Sequence, residues 1–324
     1  MMRWSLHNLV VDAASNDPRA QAHWQRSFAS RPAASGPPDL VVRFDVVTEV
    51  PPRPPGEPQF RQGDALAYYL DERVAVAHFP RFGQLRLDLA NGATECRIVP
   101  AALTTYGVFE DLVAIGLSPH LRRRGLFLIH AFSAASGGDT PLRQNRMNEA
   151  VLLVGAIGSG KTTTGMALLN AGWKLLSNDS PILAAPAEVL SYPGLLAAYP
   201  DTFARFEATR DLAQSQSASD GRHKVSAAAE AIWPDVWIDS APAGAIFFPQ
   251  IESRPESVAE PIAHLDALRR LLPHAVEQWD RGMIAEHLRL LKNLVEAAPA
   301  YVLRLGRDVT DIPHVLESVL RRAR

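Results

Sequence analysis

Apolar residues form several short, partly alternating runs within the first third of the chain. Four such runs lie at residues 40–47, 65–70, 74–79 and 84–89, and turn-forming residues separate most of them. A period of two places apolar side chains on one face of a strand and polar side chains on the other. The pattern predicts an antiparallel sheet with one solvated face. Prolines crowd residues 30–58, which predicts a loop or a sheet edge there because proline has no backbone donor.

The spacing of apolar residues becomes helical near residue 105. The residues that show it are Val108, Leu112, Ile115 and Leu117. They predict a helix that reaches Pro119, followed by a strand at residues 126–130 and a polar connection at residues 133–146. Three arginines, Arg122 to Arg124, follow the helix and are expected to be solvated charges that favour its carboxyl end. We therefore predict a strand-rich accessory or recognition region at residues 1–118 and a second domain at residues 119–324.

The second domain is predicted to have an α/β fold. An apolar run at residues 150–154, a glycine-rich stretch, an apolar helix at residues 163–171 and a strand ending at residues 177–179 follow in order. Further strands are predicted at residues 245–248 and 300–305, with a long helical region at residues 262–298 between them. Strands that alternate with helices are typical of α/β folds.

Composition and charge narrow the possible functions. The 324 residues carry a formal net charge of −2, with 47% hydrophobic and 21% charged residues, as expected of a globular chain. Such a balance gives no general attraction to nucleic acid or to an anionic membrane. The single cysteine, Cys96, is expected to be a small buried residue. Neither a secretory signal nor a run of about eighteen apolar residues is visible, so we expect a cytoplasmic protein with no nucleic-acid or membrane partner.

The glycine-rich stretch matches the phosphate-binding pattern G-x-x-x-x-G-K-[ST]. Its residues are Gly155-Ala156-Ile157-Gly158-Ser159-Gly160-Lys161-Thr162, and Thr163 completes the predicted nucleotide-binding set. Glycines between a strand and a helix let backbone N–H groups surround a phosphate, and the helix dipole adds to their effect. Lys161 would neutralise the β- and γ-phosphates, and the Thr162 hydroxyl would bind Mg²⁺. The stretch predicts a nucleoside triphosphate with Mg²⁺ as the ligand; the alternative is a glycine-rich turn without a ligand.

Asp179 is the candidate for the acidic residue that such a site needs. It ends the strand after the loop's helix, where open parallel sheets place their ligands. There it would act as a catalytic base or help to hold the metal. The alternative is a turn-forming aspartate ahead of Pro181.

Several motifs in order resemble the C-terminal kinase domain of HPr kinase/phosphorylase and its shorter relatives from peptide-modification gene clusters. They are Leu128-Ile129-His130-Ala131, the phosphate-binding loop, Asn170-Ala171-Gly172-Trp173-Lys174, Asn178-Asp179, Tyr192-Pro193-Gly194 and the stretch at residues 241–248. The resemblance covers roughly residues 121–248. It implies the P-loop nucleotide-binding core shared with phosphoenolpyruvate carboxykinase, attached to a smaller N-terminal strand-rich region.

The same resemblance implies the chemistry. The reaction would be ATP- and magnesium-dependent transfer of the γ-phosphoryl group to a serine hydroxyl of a small protein or peptide. Lys161 and Thr162 would keep their phosphate and metal roles, Asp179 would be the base or a metal ligand, and His130 would line the site. Relatives tend to carry a basic residue after the polar stretch at residues 214–221, and Lys224 is the candidate here; it would lie on a closing loop and stabilise the transferred group. A solvated loop lysine and a structural histidine are the alternatives for Lys224 and His130.

Two departures from the family pattern leave other functions open. Asn178 stands where the family has the first of two aspartates, and Ser191 with residues 192–194 replaces the glutamate-and-arginine motif of the full-length enzymes. The phosphorylase reaction and HPr as substrate are therefore not expected. One alternative is an accessory module of a peptide-maturation system that binds nucleotide without transfer; another is a kinase for free serine or a sugar. A homo-oligomer is compatible with the leucine-rich helices.

Overall fold

A computed structural model describes residues 2–71, 73–136, 148–214 and 224–322 of this mixed α/β protein. Tertiary contacts divide the chain into two units, Met1–Gly125 with Glu277–Ile284, and Leu126–Val276 with Ala285–Arg324. The predicted boundary after residue 118 falls inside the helix Val108–Arg122. Within the described ranges, no helix is both long and apolar enough to cross a membrane.

Eight described strands of the first unit form one mixed sheet. They are β1 (Met2–Leu6), β2 (Leu9–Ser15), β3 (Leu40–Val46), β4 (Phe60–Gln62), β5 (Leu66–Asp71), β6 (Val74–Phe79), β7 (Gly83–Asp88) and β8 (Ala93–Ile98), in the order β1-β2-β3-β8-β7-β6-β5-β4. The strands predicted from alternation correspond to β3, β5, β6 and β7, which confirms them. The prediction of a wholly antiparallel sheet is wrong, because β3 runs parallel to both β2 and β8.

Three helices of the first unit are α1 (Pro18–Ser27), α2 (Ala101–Thr104) and α3 (Val108–Arg122). Trp24 of α1 and Phe109 of α3 pack with Phe44 of β3, and the rings of Phe44 and Phe109 lie 4.9 Å apart. These fully buried aromatic side chains attach α1 and α3 to one face of the sheet. The helix predicted from Val108 onward is confirmed, and Cys96 of β8 is buried as expected.

The expectation that Arg122 is a solvated charge at the end of α3 is wrong. Its side chain is only 3% exposed, and its Nη2 lies 2.9 Å from Oδ2 of Asp280, which Arg123 also contacts. In the same segment, the ring of Trp279 stacks on Tyr68 at 4.4 Å. Sequence spacing could not show this, because Asp280 is far from α3 along the chain. These contacts make residues 277–284 part of the first unit.

The strands of the second unit are mostly short. They are β9 (Phe127–Leu128), β10 (Ala131–Ala135), β11 (Ala150–Val154), β12 (Lys174–Ser177), β13 (Ile182–Ala184), β14 (Glu188–Leu190), β15 (Leu196–Ala198), β16 (Val225–Ala227), β17 (Ser240–Ile251), β18 (Val258–Ile262) and β19 (Ala300–Leu305). The main sheet runs β12-β10-β11-β17-β19-β18, and the start of β17 also pairs with β14, which continues to β13 and β9. Strands β11, β17 and β19 are parallel, whereas β10 is antiparallel to both β11 and β12.

The strand predictions for the second unit are partly right. The strands predicted at residues 150–154, 245–248 and 300–305 are confirmed. The strand predicted at residues 126–130 is wrong in extent, because β9 is only two residues long and β10 occupies part of the predicted polar connection. Ser133 fits inside this buried strand because its hydroxyl donates to the carbonyl oxygen of Val151 at 2.9 Å. Residues 137–146 of that connection lie outside the described residues.

The helices of the second unit pack around this sheet. They are α4 (Lys161–Asn170), α5 (Pro200–Phe203), α6 (Arg210–Gln214), α7 (Ala229–Ile232), α8 (His264–Ala275), α9 (Arg281–Ala297, in this unit from residue 285) and α10 (Ile312–Arg322). The predicted helical region at residues 262–298 is therefore two helices. Gly165 allows α4 to approach β10 closely, since a Cβ there would lie 2.3 Å from the ring of Phe132. The phosphate-binding pattern is thus placed between β11 and α4.

Candidate functional site

The loop between β11 and α4 depends on glycines for its shape. Strand β11 is fully buried, and α4 begins at Lys161 with Gly160 as its N-cap. Gly158 and Gly160 have φ angles of +84° and +100°, in the region that glycine adopts without strain. A Cβ on Gly160 would also lie 2.5 Å from Cδ1 of Leu305. The chain can therefore turn from strand to helix in six residues, with Ala156, Ile157 and Gly158 exposed at its tip.

Lys161 lies inside the curve of this loop. Its side chain is mostly buried, and Nζ donates to the carbonyl oxygens of Gly155 at 2.5 Å and Ala156 at 3.2 Å. Burial lowers the pKa of Lys161, the negative charge of Asp179 opposes that shift, and the positive charge of Lys224 adds to it. The first N–H groups of a helix have no acceptor within the helix. The ammonium group and these N–H groups together form an environment suited to an anion.

His130 and Asp179 meet at the same edge of the sheet as this loop. Strand β12 is parallel to β11, since both are antiparallel to β10, so Asp179 follows the carboxyl end of a strand as Gly155 does. Strand β10 starts at this edge, and its first N–H, that of Ala131, donates to the carbonyl oxygen of Asp179 at 2.9 Å. Nδ1 of His130 then lies 3.2 Å from Oδ1 of Asp179, and both side chains are partly exposed. Backbone pairing thus holds an imidazole against a carboxylate.

His274 of helix α8 is a neighbour that the sequence patterns did not identify. Its carbonyl oxygen accepts the N–H of His130 at 2.7 Å, and the two imidazole rings lie 6.0 Å apart. Burial lowers the pKa of His274, and the positive charges of His130 and Lys161 lower it further. In the sequence His274 is one polar residue in an amphipathic helix, so its spacing carried no signal of this contact.

Asn178 is held by the loop that follows β14. Its Nδ2 donates to the carbonyl oxygen of Leu195 at 3.3 Å, and its Oδ1 is buried without a hydrogen-bonding partner among the described atoms. The amide group therefore supports the segment around Leu195. An aspartate could not donate this hydrogen bond.

Lys224 is the first described residue after a gap in the described chain. The predicted closing loop lies mostly outside the described residues, at positions 215–223. Nζ of Lys224 lies 5.8 Å from the centre of the Tyr199 ring, a distance at which a cation is attracted to the face of an aromatic ring. Its positive charge makes the smallest of the contributions to the lowered pKa of Lys161 named above.

A cavity of about 380 Å³ adjoins the helix end of the loop. It is lined by Gly160, Thr163, Thr164, Arg205, Ile251, Glu252, Leu305, Gly306, Arg307, Val309 and Ile312. Thr163 therefore faces a space that the sequence did not predict. Thr162, one residue earlier in the first turn of α4, is partly exposed.

The oxygen-bearing side chains of Thr162 and Asp179 suit a metal ion that takes most of its ligands from phosphate and water. In the described part of the chain, no group of three or more His, Cys, Asp or Glu side chains is placed to hold a metal ion. Mg²⁺ bound to a triphosphate takes one or two protein oxygens, with phosphate and water supplying the rest. The hydroxyl of Thr162 and the carboxylate of Asp179 are chemically appropriate for that role.

No protein-family model matches the sequence, and no curated protein matches it.

Proposed function

We propose that this chain is a kinase that binds magnesium ATP at residues 155–162 and transfers the γ-phosphoryl group to the serine hydroxyl of a small protein or peptide. The observation that carries the proposal is the arrangement of three groups at one sheet edge. Lys161 lies at the start of α4, while His130 and Asp179 lie in contact beside the neighbouring strands. A glycine-rich turn that binds no ligand would not need an imidazole and a carboxylate in contact at the same sheet edge.

Binding would use the groups that are already directed into the loop. The ammonium group of Lys161 would exchange its contacts with the carbonyl oxygens of Gly155 and Ala156 for phosphate oxygens. The free N–H groups at the start of α4 would bind the phosphate charge from the same side. The hydroxyl of Thr162 would hold Mg²⁺, whose charge offsets part of the negative charge on the β- and γ-phosphates. The P-loop core suggested by the sequence is consistent with this order of strand, loop and helix.

Transfer requires a group that receives the proton of the acceptor hydroxyl. As the bond between the γ-phosphorus and the oxygen of the β-phosphate breaks, a bond forms to the serine oxygen, and ADP leaves. The carboxylate of Asp179 would take the serine proton, and His130, 3.2 Å away, would orient that carboxylate. Lys224 would lie close enough to the loop to offset charge on the moving phosphoryl group.

A second candidate is a nucleotide-binding accessory module of a peptide-maturation system. Asn178 favours it, because this residue supports the segment at Leu195 through its amide and adds no second carboxylate beside Asp179. Such a module would use the loop to bind ATP and change conformation, while a partner performed the chemistry. The two candidates differ in whether phosphate reaches a peptide.

The test is to incubate the purified chain with γ-labelled ATP, Mg²⁺ and serine-containing peptides encoded beside its gene. We expect label in a peptide with the wild type and with Lys292→Ala, a matched replacement of an exposed lysine on α9. Lys161→Ala should bind ATP about 10- to 100-fold more weakly, because a hydrogen bond to a charged group contributes about 1.5–3 kcal/mol. ATP binding without label in any peptide would favour the accessory module. Absence of ATP binding by the wild type would overturn both candidates.

A further inference from the structure

The cavity beside α4 lies across the loop from His130 and Asp179. In the sheet order β12-β10-β11-β17-β19, the loop follows the central strand β11. The paired histidine and aspartate are next to β10 and β12 on one side. Ile251 ends β17 and Leu305 ends β19 on the other side, and both line the cavity. Because β11, β17 and β19 are parallel, their carboxyl ends meet at the edge where such sheets bind ligands.

We propose that this cavity binds the nucleoside half of the triphosphate, so that the nucleotide crosses the loop with its base over α4 and its γ-phosphate toward Asp179. This inference rests on the proposed function, since it assigns the remaining part of the same ligand. Thr163 connects the two regions: it lines the cavity and immediately follows Thr162 in the first turn of α4.

The size of the cavity fits a nucleoside. Its volume of about 380 Å³ lies near the lower end of the range for small-molecule pockets, roughly 300–1,000 Å³. A base with its ribose can occupy such a space, while the three phosphates remain on the loop outside it. The cavity and the loop therefore divide one ligand between an apolar site and an anion site.

The apolar part of the lining suits the flat face of a base. Leu305 and Ile312 are buried, and Val309 is partly buried, so these three form a fixed wall. Ile251 is 66% exposed, which is unusual for a large aliphatic side chain that ends a central strand. A base lying in the cavity would cover it and remove that apolar surface from water.

The polar part of the lining supplies groups for the base edge and the ribose. Glu252 forms an ion pair with Arg304, and Nε of Arg304 also lies 2.7 Å from Oε2 of Glu260. These contacts hold the carboxylate of Glu252 beside the cavity, where it can accept a hydrogen bond. Arg205 and Arg307 are exposed guanidinium groups of the same lining. A guanidinium group can stack on a base or donate to ribose oxygens.

The experiment compares magnesium ATP with magnesium tripolyphosphate, which has the phosphates but no nucleoside, by titration calorimetry. We expect the wild type to bind ATP at least about tenfold more tightly than tripolyphosphate, which corresponds to about 1.4 kcal/mol from the nucleoside. Val309→Phe, which fills the cavity, should weaken ATP about tenfold and leave tripolyphosphate unchanged. Ile251→Ala should weaken ATP by about fivefold through lost apolar contact. Leu265→Ala, which truncates an exposed leucine on α8, is the matched control for Ile251→Ala and should change neither affinity.

Each outcome separates this inference from the function on which it rests. If both ligands bind and neither cavity variant weakens ATP more than Leu265→Ala does, the cavity is not the nucleoside site, while phosphate binding at the loop stands. If Val309→Phe weakens the binding of both ligands equally, that replacement has disturbed the loop. The effect of Ile251→Ala on ATP affinity then decides whether the cavity is the nucleoside site. If the wild type binds neither ligand, the proposed function fails and this inference fails with it.

Discussion

Nδ1 of His130 and Oδ1 of Asp179 lie 3.2 Å apart, although 48 residues separate them in the numbering of the chain. The N–H of Ala131 donates to the carbonyl oxygen of Asp179, so the pairing of the two chain segments brings His130 and Asp179 together. Because the backbone already brings the two residues together, little free energy is needed to arrange them in the free protein. The proposed catalysis requires such prior positioning.

Replacing Asp179 by asparagine should separate transfer from binding. Asp179→Asn keeps the size and the backbone contact but removes the carboxylate that, in the proposed mechanism, accepts the serine proton. We expect the rate of transfer to the peptide to fall by about 10²- to 10⁴-fold, while ATP affinity changes by only a few fold. Rates from labelled phosphate and affinities from calorimetry check this, with Asp201→Asn on α5 as a matched exposed control. Transfer at the wild-type rate would remove Asp179 from the mechanism.

Asn178→Asp tests the meaning of the residue that departs from the resembling family. The change replaces the N–H donor facing the carbonyl oxygen of Leu195 with a negative acceptor, so the free energy of unfolding should fall by about 1–3 kcal/mol. We expect no gain in phosphoryl transfer, because Asp179 already supplies the carboxylate. Urea unfolding and the transfer assay measure both effects, and Asn178→Ala shows the cost of losing the hydrogen bond alone. A large gain in transfer with Asn178→Asp would instead support the accessory module.

Gly158→Ala and Gly160→Ala form a matched pair for the shape of the loop. Both residues have positive φ angles, so each alanine should cost about 1–2 kcal/mol in backbone strain. Only at Gly160 would the added Cβ meet another side chain, Cδ1 of Leu305 at 2.5 Å, which should add about 1–3 kcal/mol. Urea unfolding should therefore show Gly160→Ala as the less stable variant. Equal losses would mean that Leu305 moves aside without cost.

His120 should make the first unit sensitive to acid. The hydroxyl of Thr94 donates to the carbonyl oxygen of Gly116 at 2.8 Å, so at 2.9 Å it accepts from Nε2 of His120. Burial, followed by the charges of Arg124 and Arg123, lowers the pKa of His120 to about 4 from 6.5.

Between these pH values the unfolded ring binds a proton that the folded ring does not, so stability falls as the pH is lowered through this range. The loss should reach about 3 kcal/mol near pH 4. Urea unfolding at a series of pH values checks this, and His120→Gln, which keeps a donor for Thr94, should remove that part of the pH dependence. An unchanged slope in His120→Gln would assign the effect to other groups.

Local patterns were sufficient for elements whose side chains and backbone carry their own signal. The buried run of β11 and the glycines at 158 and 160 were predicted, because chain geometry at a strand-to-helix turn demands those residue types. Helix α4 was predicted at residues 163–171 and begins two residues earlier, at Lys161. Partly alternating apolar runs separated by turn residues likewise located β3, β5, β6 and β7. Asp179 could be singled out because the carboxyl ends of neighbouring strands meet at one edge.

Residues that become neighbours only through folding could not be found in this way. Strand β10 was missed because the hydroxyl of Ser133 is satisfied by Val151, a partner outside its own segment. The burial of Arg122 depends on Asp280, and the contact of His130 with His274 depends on where α8 ends. The cavity is lined by residues of four separate segments, at positions 160, 163–164, 205, 251–252, 305–307, 309 and 312. By itself the sequence determined the glycine-rich turn between β11 and α4, for which phosphate binding is proposed, because consecutive residues fix the shape of that turn. Only the tertiary structure decided which residues surround that loop. Packing brings together segments that are far apart in the sequence, and no periodic pattern of residues predicts such contacts.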